Sequence, residues 1–512
     1  MPTRPPNILI FMTDQQQGRT VDPSHPCHMP NAQRLAEEGV RFSRCYCPTA
    51  HCCPSRATFQ TGLYPSRHGI WNNVSTPTAL NYSLTPGVTT FGPALREAGY
   101  QLAFAGKWHV SDTEGPADHG WEELVITSGP GESGRGSPRQ MIERLPSHVP
   151  APGQPRARGT VNRPGWGPIN LYRTTPDVGP RGDGDVGDRK VIDSALAALP
   201  RLAAGASGAA SGGASGCQPW CLFVGPHNPH DPFTAPKRFV DLYDPKRIDL
   251  PASYEDRLAD RPGIYRRMRQ QLWDQLGPDE IREALAHYWA KCSMADAWLG
   301  EVLDALDATG QADDTLVIFM SDHGDYAGAH GLFLKGVPAF DEAYHVPCIM
   351  RWPAGMAAPG RVSDAMLNLA DFAPTFLDLA GVNRPATDFT GRSLLPLLHD
   401  SGPAESWRRY RFTQFSGVEL YYTQRSVADD RYKYVYNGFD TDELYDLESD
   451  PHEMTNLAAN PDFDSVKERL CSAMWRFAAR EDDRRIFNPY GTVALAPFGP
   501  GVAKEASFDG QF

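Results

Sequence analysis

Four short apolar runs, each followed at once by polar or ionisable residues, constrain the fold of this chain more than any other feature. They span residues 7–13, 101–106, 220–224 and 315–320. Such runs are typical of buried strands, and the helical patterns between them predict an α/β fold. Because ligands of open α/β sheets bind at the carboxyl ends of the strands, we expect the side chains after these runs to meet at one edge.

The side chains at these four strand ends are carboxylates, an amide, a lysine and imidazoles, which are groups that bind metals and anions. They are Asp14 and Gln15, Lys107 and His109, His227, and Asp322 and His323. Each alone has a plainer interpretation, as a capping carboxylate, a surface lysine or a loop histidine. Their joint placement after strands favours one shared site instead.

A long amphipathic pattern precedes the fourth run. Apolar residues recur with a period near 3.6 over residues 281–306, and Gly310 is expected to end the helix. The pattern predicts a packing helix, so its tryptophans are interpreted as core residues.

The pattern changes after residue 404. Short aromatic-rich runs at residues 410–415, 419–426, 432–436 and 443–446 are separated by turn residues, and residues 463–479 have helical spacing. We therefore expect a large α/β domain over residues 1–404 and a smaller C-terminal α+β domain with an antiparallel sheet over residues 405–512.

Two segments of the first domain are poor in apolar runs. Residues 203–216 are almost only Ala, Gly and Ser, which predicts a flexible connector. Residues 129–190 are rich in Gly, Pro and Arg and are predicted to form a rim over the site, with Trp166 and Tyr172 as the residues to examine.

Composition argues against several classes of protein. The net charge is −13 and no basic cluster occurs, so nucleic acid is not an expected partner. No run of about 18 apolar residues occurs, so no membrane span is expected. The first apolar run ends in Asp14 and is interpreted as a strand, so we expect a cytoplasmic protein. The ten irregularly spaced cysteines are too dilute for a disulfide scaffold.

Residues 51–62 contain the pattern C-x-P-S-R-x-x-x-x-T-G, with Cys52 at its first position. The plain interpretation is a buried Cys52-Cys53 pair at a helix start, because Pro54 suits the first turn of a helix. Both interpretations place Cys52 at a helix N-terminus, where an anion or a nucleophile attacking an anion is stabilised. A redox role is weaker, because adjacent cysteines lack the spacing of a dithiol motif.

These motifs resemble those of the type I sulfatases of the alkaline phosphatase superfamily, over nearly the whole chain. The matching segments are 52–62, 106–109 (GKWH), 225–227 (GPH), 321–324 (SDHG), 328–335 and 443–457. The resemblance implies an alkaline-phosphatase-like sandwich, in which helices flank a large mixed, mostly parallel central sheet.

The resemblance also implies a nucleophile. Cys52 would be oxidised to formylglycine by a formylglycine-generating enzyme and hydrated to a geminal diol. Arg56 would hold the diol, and His109 would deprotonate its second hydroxyl to release sulfate. The groups implied to bind the sulfate or to protonate the leaving group are Lys107, Lys335 and His227.

The implied metal site consists of Asp14, Gln15, Asp322 and His323 beside Cys52, with one divalent metal. Ca²⁺ is the first expectation, with Mn²⁺ and Mg²⁺ as alternatives. The site departs from the commonest family pattern, which has a second aspartate at the position of Gln15 and an asparagine at that of His323. The Gln and His pair is familiar from phosphonate monoester hydrolases and choline-sulfatase-like members.

Three functions follow from this pattern. The first is hydrolysis of a sulfate monoester, on a small molecule or a carbohydrate. The second uses the same site on phosphonate monoesters or phosphodiesters. The third is a non-catalytic protein that binds metal or a sulfated ligand, against which the complete set of site residues argues. A homo-oligomer is left open.

Overall fold

The fold was derived from a computed structural model that describes residues 4–76, 79–131, 138–179, 181–183, 187–206, 218–399, 407–417, 421–438, 440–487 and 496–504. Its strands are β1 (Asn7–Thr13), β2 (Val40–Tyr46), β3 (Gln101–Lys107), β4 (Glu122–Thr127), β5 (Thr160–Arg163), β6 (Gly167–Asn170), β7 (Tyr172–Thr175), β8 (Trp220–Gly225), β9 (Phe233–Pro236), β10 (Thr315–Ser321), β11 (His345–Val346), β12 (Cys348–Arg351), β13 (Arg361–Asn368), β14 (Arg411–Phe415), β15 (Gln424–Ala428), β16 (Tyr432–Asn437) and β17 (Glu443–Asp446).

A nine-stranded mixed sheet forms the centre of the protein. Its order is β11-β2-β12-β10-β1-β8-β3-β4, with β13 paired to β2. The strands from β10 to β4 are parallel, and the antiparallel pairings involve β11 and β12. The mixed, mostly parallel sheet is therefore confirmed, and the four predicted strands lie within one residue of their expected ends.

Helices cover this sheet in two packed groups. The helices are α1 (Pro30–Glu37), α2 (Cys52–Thr61), α3 (Pro65–His68), α4 (Phe91–Glu97), α5 (Pro138–Arg144), α6 (Arg189–Ala206), α7 (Lys237–Val240), α8 (Gly263–Gln271), α9 (Pro278–Ala308), α10 (Asp341–Tyr344), α11 (Phe372–Leu379), α12 (Leu395–His399) and α13 (Asp464–Arg480). One group joins α1, α6 and α9, and the other joins α2, α4 and α11 around Phe59. The predicted long packing helix is α9, which ends two residues before Gly310.

A separate antiparallel sheet lies in the C-terminal region. Its order is β14-β15-β16-β17, and α13 packs on it through a cluster that includes Phe412, Tyr434 and Trp475. The predicted antiparallel sheet and closing helix are thus present, although the second strand begins at Gln424. Residues 400–406 and 418–420 lie outside the described part, so the division near residue 404 stays a prediction.

Two segments expected to be irregular contain regular structure. The last turn of α6 includes residues 203–206, so the connector prediction is wrong there, because alanine is the strongest helix former. Residues 207–217 lie outside the described part. Within residues 129–190, β5 and β6 form a hairpin and β7 pairs with β9.

The cysteines and the helices of the described residues bear on two expectations drawn from composition. The nine described cysteines are free and buried, in accord with the absence of a disulfide scaffold. None of the described helices combines the length and apolarity that crossing a membrane requires.

Candidate active site

The carboxyl ends of β1 and β10 bring two aspartates together. The strands pair in parallel with Thr13 opposite Ser321, so the next residues, Asp14 and Asp322, leave the sheet side by side. Both carboxylates are fully buried. Ligand atoms of Asp14, Cys52, Asp322 and His323 all lie within 4.8 Å of one another. The alignment of the two strands therefore builds the candidate site.

Cys52 lies at the first position of α2, one residue after the extended N-cap. Its Sγ lies 3.2 Å from His323 Nε2 and 3.8 Å from Asp14 Oδ1. The helix is fixed at both ends, because the Ser55 hydroxyl donates to the Asp322 carbonyl and Gly62 ends the helix at φ 73°. Cys52 therefore lies at a helix N-terminus, as the sequence predicts.

The donor set of this cluster fits a divalent cation. His323 Nε2 lies 3.6 Å from Asp14 Oδ1 and 3.8 Å from Asp322 Oδ1. The other ring nitrogen, Nδ1, lies 2.9 Å from the Gly324 carbonyl, which leaves Nε2 directed at the carboxylates. Burial lowers the pKa of His323, so the imidazole is neutral, which is the form that binds metals.

Gln15 supports this cluster from one side. It has a positive φ of 71°, and its backbone N–H donates to Asp322 Oδ1 at 3.1 Å. Its side-chain oxygen accepts from Lys335, and its amide nitrogen donates to Asp325 Oδ2 at 2.6 Å. Burial raises the pKa of Asp325 to about 7. Gln15 therefore links the predicted metal ligands to Lys335.

Arg56 and Lys107 balance the charge of the aspartates. Arg56 Nε lies 2.7 Å from Asp322 Oδ2, and its Nη1 donates to the Lys107 carbonyl at 2.8 Å. Lys107 Nζ lies 2.5 Å from Asp14 Oδ2, where Arg56 Nη2 lies at 3.4 Å. Burial alone would raise the pKa of Asp14, but the charges of Lys107 and Arg56 hold it well below its usual value.

A close strand contact positions Lys107. Gly106 of β3 lies against Gly225 of β8, and a Cβ on Gly106 would be 2.1 Å from the Gly225 carbonyl oxygen. Gly106 also has a positive φ of 119°. The glycine of the GKWH motif is therefore required by this approach.

His109 lies close to the same lysine in a left-handed backbone conformation, with φ 51°. Its Nε2 lies 3.1 Å from the Ser75 hydroxyl, whereas its buried Nδ1 contacts no hydrogen-bonding group among the described residues. Burial, with the charges of Lys107 and Arg56, lowers the pKa of His109 well below its usual value. The ring is thus neutral and can accept a proton.

Lys335 reaches the site from the loop after β10. Its Nζ lies 2.7 Å from His230 Nε2 and 3.6 Å from Asp231 Oδ1. Burial alone would lower the pKa of Lys335, but nearby acidic groups, among them Asp231, leave it raised. Lys335 is therefore a cation at neutral pH.

His227 follows β8, as predicted, but its ring is directed toward hydroxyl groups. Nε2 lies 3.2 Å from Thr127 Oγ1 and 3.3 Å from Ser128 Oγ, and the His227 backbone N–H donates to Asp188. Burial, aided by Lys107, lowers the pKa of His227 to about 4. It is therefore neutral at pH 7 and lacks the acidic proton of an imidazolium in this state.

Sequence reasoning left His230 and Asp231 undecided between the pocket and packing. The structure places both beside Lys335, and the second H-x-P unit of residues 227–232 was the available signal. Tyr344 and His345, also undecided, lie elsewhere: Tyr344 is buried, and His345 packs on Tyr46.

Asn73 was missed altogether. Its side-chain oxygen lies 2.6 Å from His51 Nδ1 and accepts from the Cys53 backbone N–H at 3.1 Å. No sequence signal distinguishes this asparagine from its neighbours.

The sequence of this chain matches models of known protein families. The family model described as "Sulfatase" matches residues 6–382, and the model "N-sulphoglucosamine sulphohydrolase, C-terminal" matches residues 328–480. The chain belongs to the sulfatase family. It is 32% identical over 475 residues to a choline-sulfatase of Rhizobium meliloti, covering 90% of this chain and 84% of that protein. Sulfatase family membership makes this chain a hydrolase.

Solved structures share the fold of this sulfatase. The structure of BT4656 in complex with its substrate D-glucosamine-2-N,6-O-disulfate matches with a TM-score of 0.70 at 22% identity, over 94% of this chain and 99% of the other. The phosphonate monoester hydrolase SpPMH from Silicibacter pomeroyi matches with a TM-score of 0.71 at 24% identity, over 93% and 96%. At these identities the likeness concerns the fold alone.

Proposed function

We propose that this sulfatase hydrolyses sulfate monoesters with a formylglycine nucleophile made from Cys52. One observation carries the proposal: Cys52 Sγ lies within 4.8 Å of ligand atoms from Asp14, Asp322 and His323 at the N-terminus of α2. Sγ marks the place where a hydroxyl of the hydrated aldehyde would lie. A thiol that only packs does not need buried carboxylates and an imidazole around it.

The surrounding cations suit an anionic substrate. A sulfate ester repels nucleophiles through its negative charge, so charge neutralisation is the main requirement of the site. Lys107 and Lys335 are both buried or nearly so, and the pKa of each is raised above its usual value, although burial alone would lower it. They would therefore be positively charged when they contact sulfate oxygens.

A divalent cation bound by Asp14, Asp322 and His323 would supply Lewis-acid polarisation of a sulfate oxygen. Gln15 would complete the set from its place beside Asp322. The residues of the chain itself orient the nucleophile, because Arg56 fixes Asp322 and the first turn of α2 fixes residue 52.

The reaction would proceed in two steps. In the first, one hydroxyl of the diol would give its proton to Asp14, whose Oδ1 lies 3.8 Å from Cys52 Sγ, and its oxygen would bond to sulfur while the bond from sulfur to the alcohol oxygen breaks. In the second, His109 removes the proton of the remaining hydroxyl, the bond from carbon to the sulfate oxygen breaks, and the aldehyde is restored. The low pKa of His109 in the free enzyme would rise beside a covalently held sulfate, because an anion favours the imidazolium.

The proton for the leaving alcohol would come from Lys335 and His230 together. Lys335 is cationic and lies 2.7 Å from His230 Nε2, so a proton can pass between them. His227 is the weaker candidate, because its lowered pKa of about 4 leaves it neutral at pH 7. Its predicted role as general acid stays a prediction.

Paired cysteine variants test the proposal. Cys52→Ala should abolish hydrolysis of 4-nitrophenyl sulfate, by at least about a thousandfold in kcat. Cys53→Ala is the matched control, because Cys53 is equally buried and its Sγ only accepts from the Val74 backbone N–H. Full activity of Cys52→Ala would refute the nucleophile assignment, whereas inactivity of wild type that contains formylglycine would favour a non-catalytic binding role.

A second candidate, hydrolysis of phosphonate monoesters or phosphodiesters, is favoured by Gln15 and His323. These neutral groups leave two carboxylates, Asp14 and Asp322, in the cluster, so the site is less negatively charged than one with a third carboxylate and its preference for sulfate is less strict. Parallel kcat/KM values for 4-nitrophenyl sulfate and a 4-nitrophenyl phosphonate monoester decide between the two. A larger value for the phosphonate would make it the principal activity.

Maturation adds one partner to the proposal, a formylglycine-generating enzyme that oxidises Cys52. The choice of Ca²⁺, Mn²⁺ or Mg²⁺, a cytoplasmic location and a homo-oligomeric state also remain proposals. Metal content measured on protein purified without added metal, together with its mass in solution, addresses the first and the last.

A further inference from the structure

The hairpin formed by β5 and β6 is tied to the segment that carries His230 and Asp231. At the base of the hairpin, the Leu171 backbone N–H donates to the Gly159 carbonyl at 2.8 Å. The Leu171 carbonyl in turn accepts from the Phe233 backbone N–H at 2.6 Å, and β7 continues from there as the partner of β9. The base of the hairpin is therefore hydrogen-bonded to Phe233, which follows Asp231 by two residues, and Asp231 lies beside Lys335.

The hairpin is held rigidly along its length. The Asn162 backbone N–H donates to Gln275 Oε1, and Gln275 Nε2 donates to the Asn162 carbonyl, both at 2.9 Å. Near the base, Arg156 forms an ion pair with Glu280 of α9. Such a support suits a surface that must present side chains in fixed positions.

The upper half of the hairpin presents a tryptophan and an arginine. Arg163 pairs with Gly167 across the hairpin, and Trp166 lies in the turn between them with 50% of its surface exposed. The guanidinium carbon of Arg163 lies 5.9 Å from the centre of the indole. Asp231 lies 3.6 Å from Lys335 Nζ. Burial lowers the pKa of Arg163, and the negative charge of Asp231 opposes that shift. Asp231 therefore interacts both with Arg163 of the hairpin and with Lys335 of the candidate site.

We propose that Trp166 and Arg163 form an outer subsite for the alcohol part of the substrate, and that this subsite takes a sulfated saccharide carrying a second anionic group. The inference rests on the proposed sulfate ester hydrolysis. An exposed indole face offers apolar surface to the C–H face of a pyranose ring. The planar guanidinium fork matches a carboxylate or a second sulfate through two parallel hydrogen bonds.

Size and charge argue against a small cationic alcohol at this subsite. Four strand residues at about 3.3 Å each place the turn roughly 13 Å from the hairpin base, which is itself bonded to Phe233, two residues after Asp231. A substrate that contacts both Lys335 and the indole must therefore be longer than a single small alcohol. A quaternary ammonium would be attracted to the indole, but the cation of Arg163 beside it repels such a group. The subsite therefore fits an anionic saccharide of more than one ring.

Comparative kinetics on formylglycine-containing enzyme test this inference. The substrates are 4-nitrophenyl sulfate, choline sulfate and a disaccharide that carries one sulfate ester and one uronate carboxylate. The variants are Trp166→Ala and Arg163→Gln, with Ile142→Ala as the control, since Ile142 is 70% exposed and lies outside the hairpin. Circular dichroism and the unfolding midpoint verify that each variant is folded.

We expect each hairpin variant to raise KM for the disaccharide about tenfold with kcat within about twofold, because the lost contacts act on binding alone. KM for 4-nitrophenyl sulfate should stay within about twofold in every variant, since one aryl ring does not reach the hairpin. Arg163→Lys should restore part of the affinity, because the charge returns without the fork.

Three results would overturn the inference. Wild-type enzyme that hydrolyses 4-nitrophenyl sulfate but not the disaccharide refutes the subsite and leaves the proposed function standing. Equal losses on both substrates would assign the hairpin a structural role only. If no sulfate ester is hydrolysed by enzyme shown to contain formylglycine, the proposed function fails and the subsite fails with it.

Discussion

Replacing Arg56 by methionine should destabilise the protein far more in the absence of divalent metal than in its presence. Arg56 is 2% exposed, and its guanidinium lies 2.7 Å from Asp322 Oδ2 and 3.4 Å from Asp14 Oδ2. Both carboxylates are fully buried and are the predicted metal ligands. Methionine keeps most of the side-chain length and removes the charge.

The loss of unfolding free energy depends on which cationic partners Asp14 and Asp322 retain in the variant. Without metal, the variant leaves Asp322 without a cation in contact among the described residues, and removing one member of a buried pair costs about 3–5 kcal/mol. With metal bound, Asp14 and Asp322 retain a cationic partner, so the cost falls toward that of lost hydrogen bonds, about 1–2 kcal/mol. The two conditions should therefore differ by about 2–3 kcal/mol.

Urea unfolding of wild type and variant, with excess divalent metal and with EDTA, measures this difference. Arg408→Met is the matched control, because the Arg408 side chain is only 8% exposed and contacts Asp371 at 2.7 and 2.9 Å, outside the cluster of predicted ligands. The control should lose the same free energy of unfolding in both media. If Arg56→Met also loses equal amounts in both, Asp14 and Asp322 are not metal ligands and the reasoning is wrong.

Three further expectations concern separate parts of the protein. Lys433→Met leaves buried Glu453 without its partner at 2.6 Å and should cost about 3 kcal/mol, measured by urea unfolding; no loss would show that the pair is replaceable. Gln15→Asp adds a carboxylate beside Asp322 and should tighten metal binding about tenfold in a chelator competition; unchanged affinity would place Gln15 outside the ligand set. Because burial lowers the pKa of His227 to about 4, folding excludes a proton that the unfolded chain binds below about pH 6.5, and stability falls as the pH drops. His227→Gln should therefore lose about 2 kcal/mol less than wild type between pH 7 and pH 5, and equal losses would contradict that cause.

The central sheet and the cluster of candidate metal ligands could be predicted because the sequence patterns that indicate them are local. Each apolar run specifies a strand, and residues at the carboxyl ends of parallel strands must lie near one another. Asp14 and Asp322 illustrate this, since their proximity follows from the pairing of β1 with β10. Cys52 was placed correctly at a helix N-terminus for the same reason, as Pro54 and Gly62 mark that helix in the sequence.

The orientation of individual side chains could not be predicted in the same way. His227 and His230 are three residues apart and both precede proline by two residues, yet the ring of His227 contacts Thr127 and that of His230 contacts Lys335. The direction of each ring depends on backbone turns and distant partners that no local pattern encodes. The hairpin of residues 160–170 was likewise hidden in a segment rich in Gly and Pro, because its support comes from Gln275.

Mass spectrometry of the tryptic peptide of residues 45–56 tests the central claim most directly. The protein should come from its native host or from cells that also produce a formylglycine-generating enzyme, and its rate on 4-nitrophenyl sulfate should be measured on the same preparation. We predict an aldehyde in place of the thiol, localised to Cys52, with activity that scales with the fraction converted. A preparation that hydrolyses the ester while Cys52 is entirely a thiol would contradict the account.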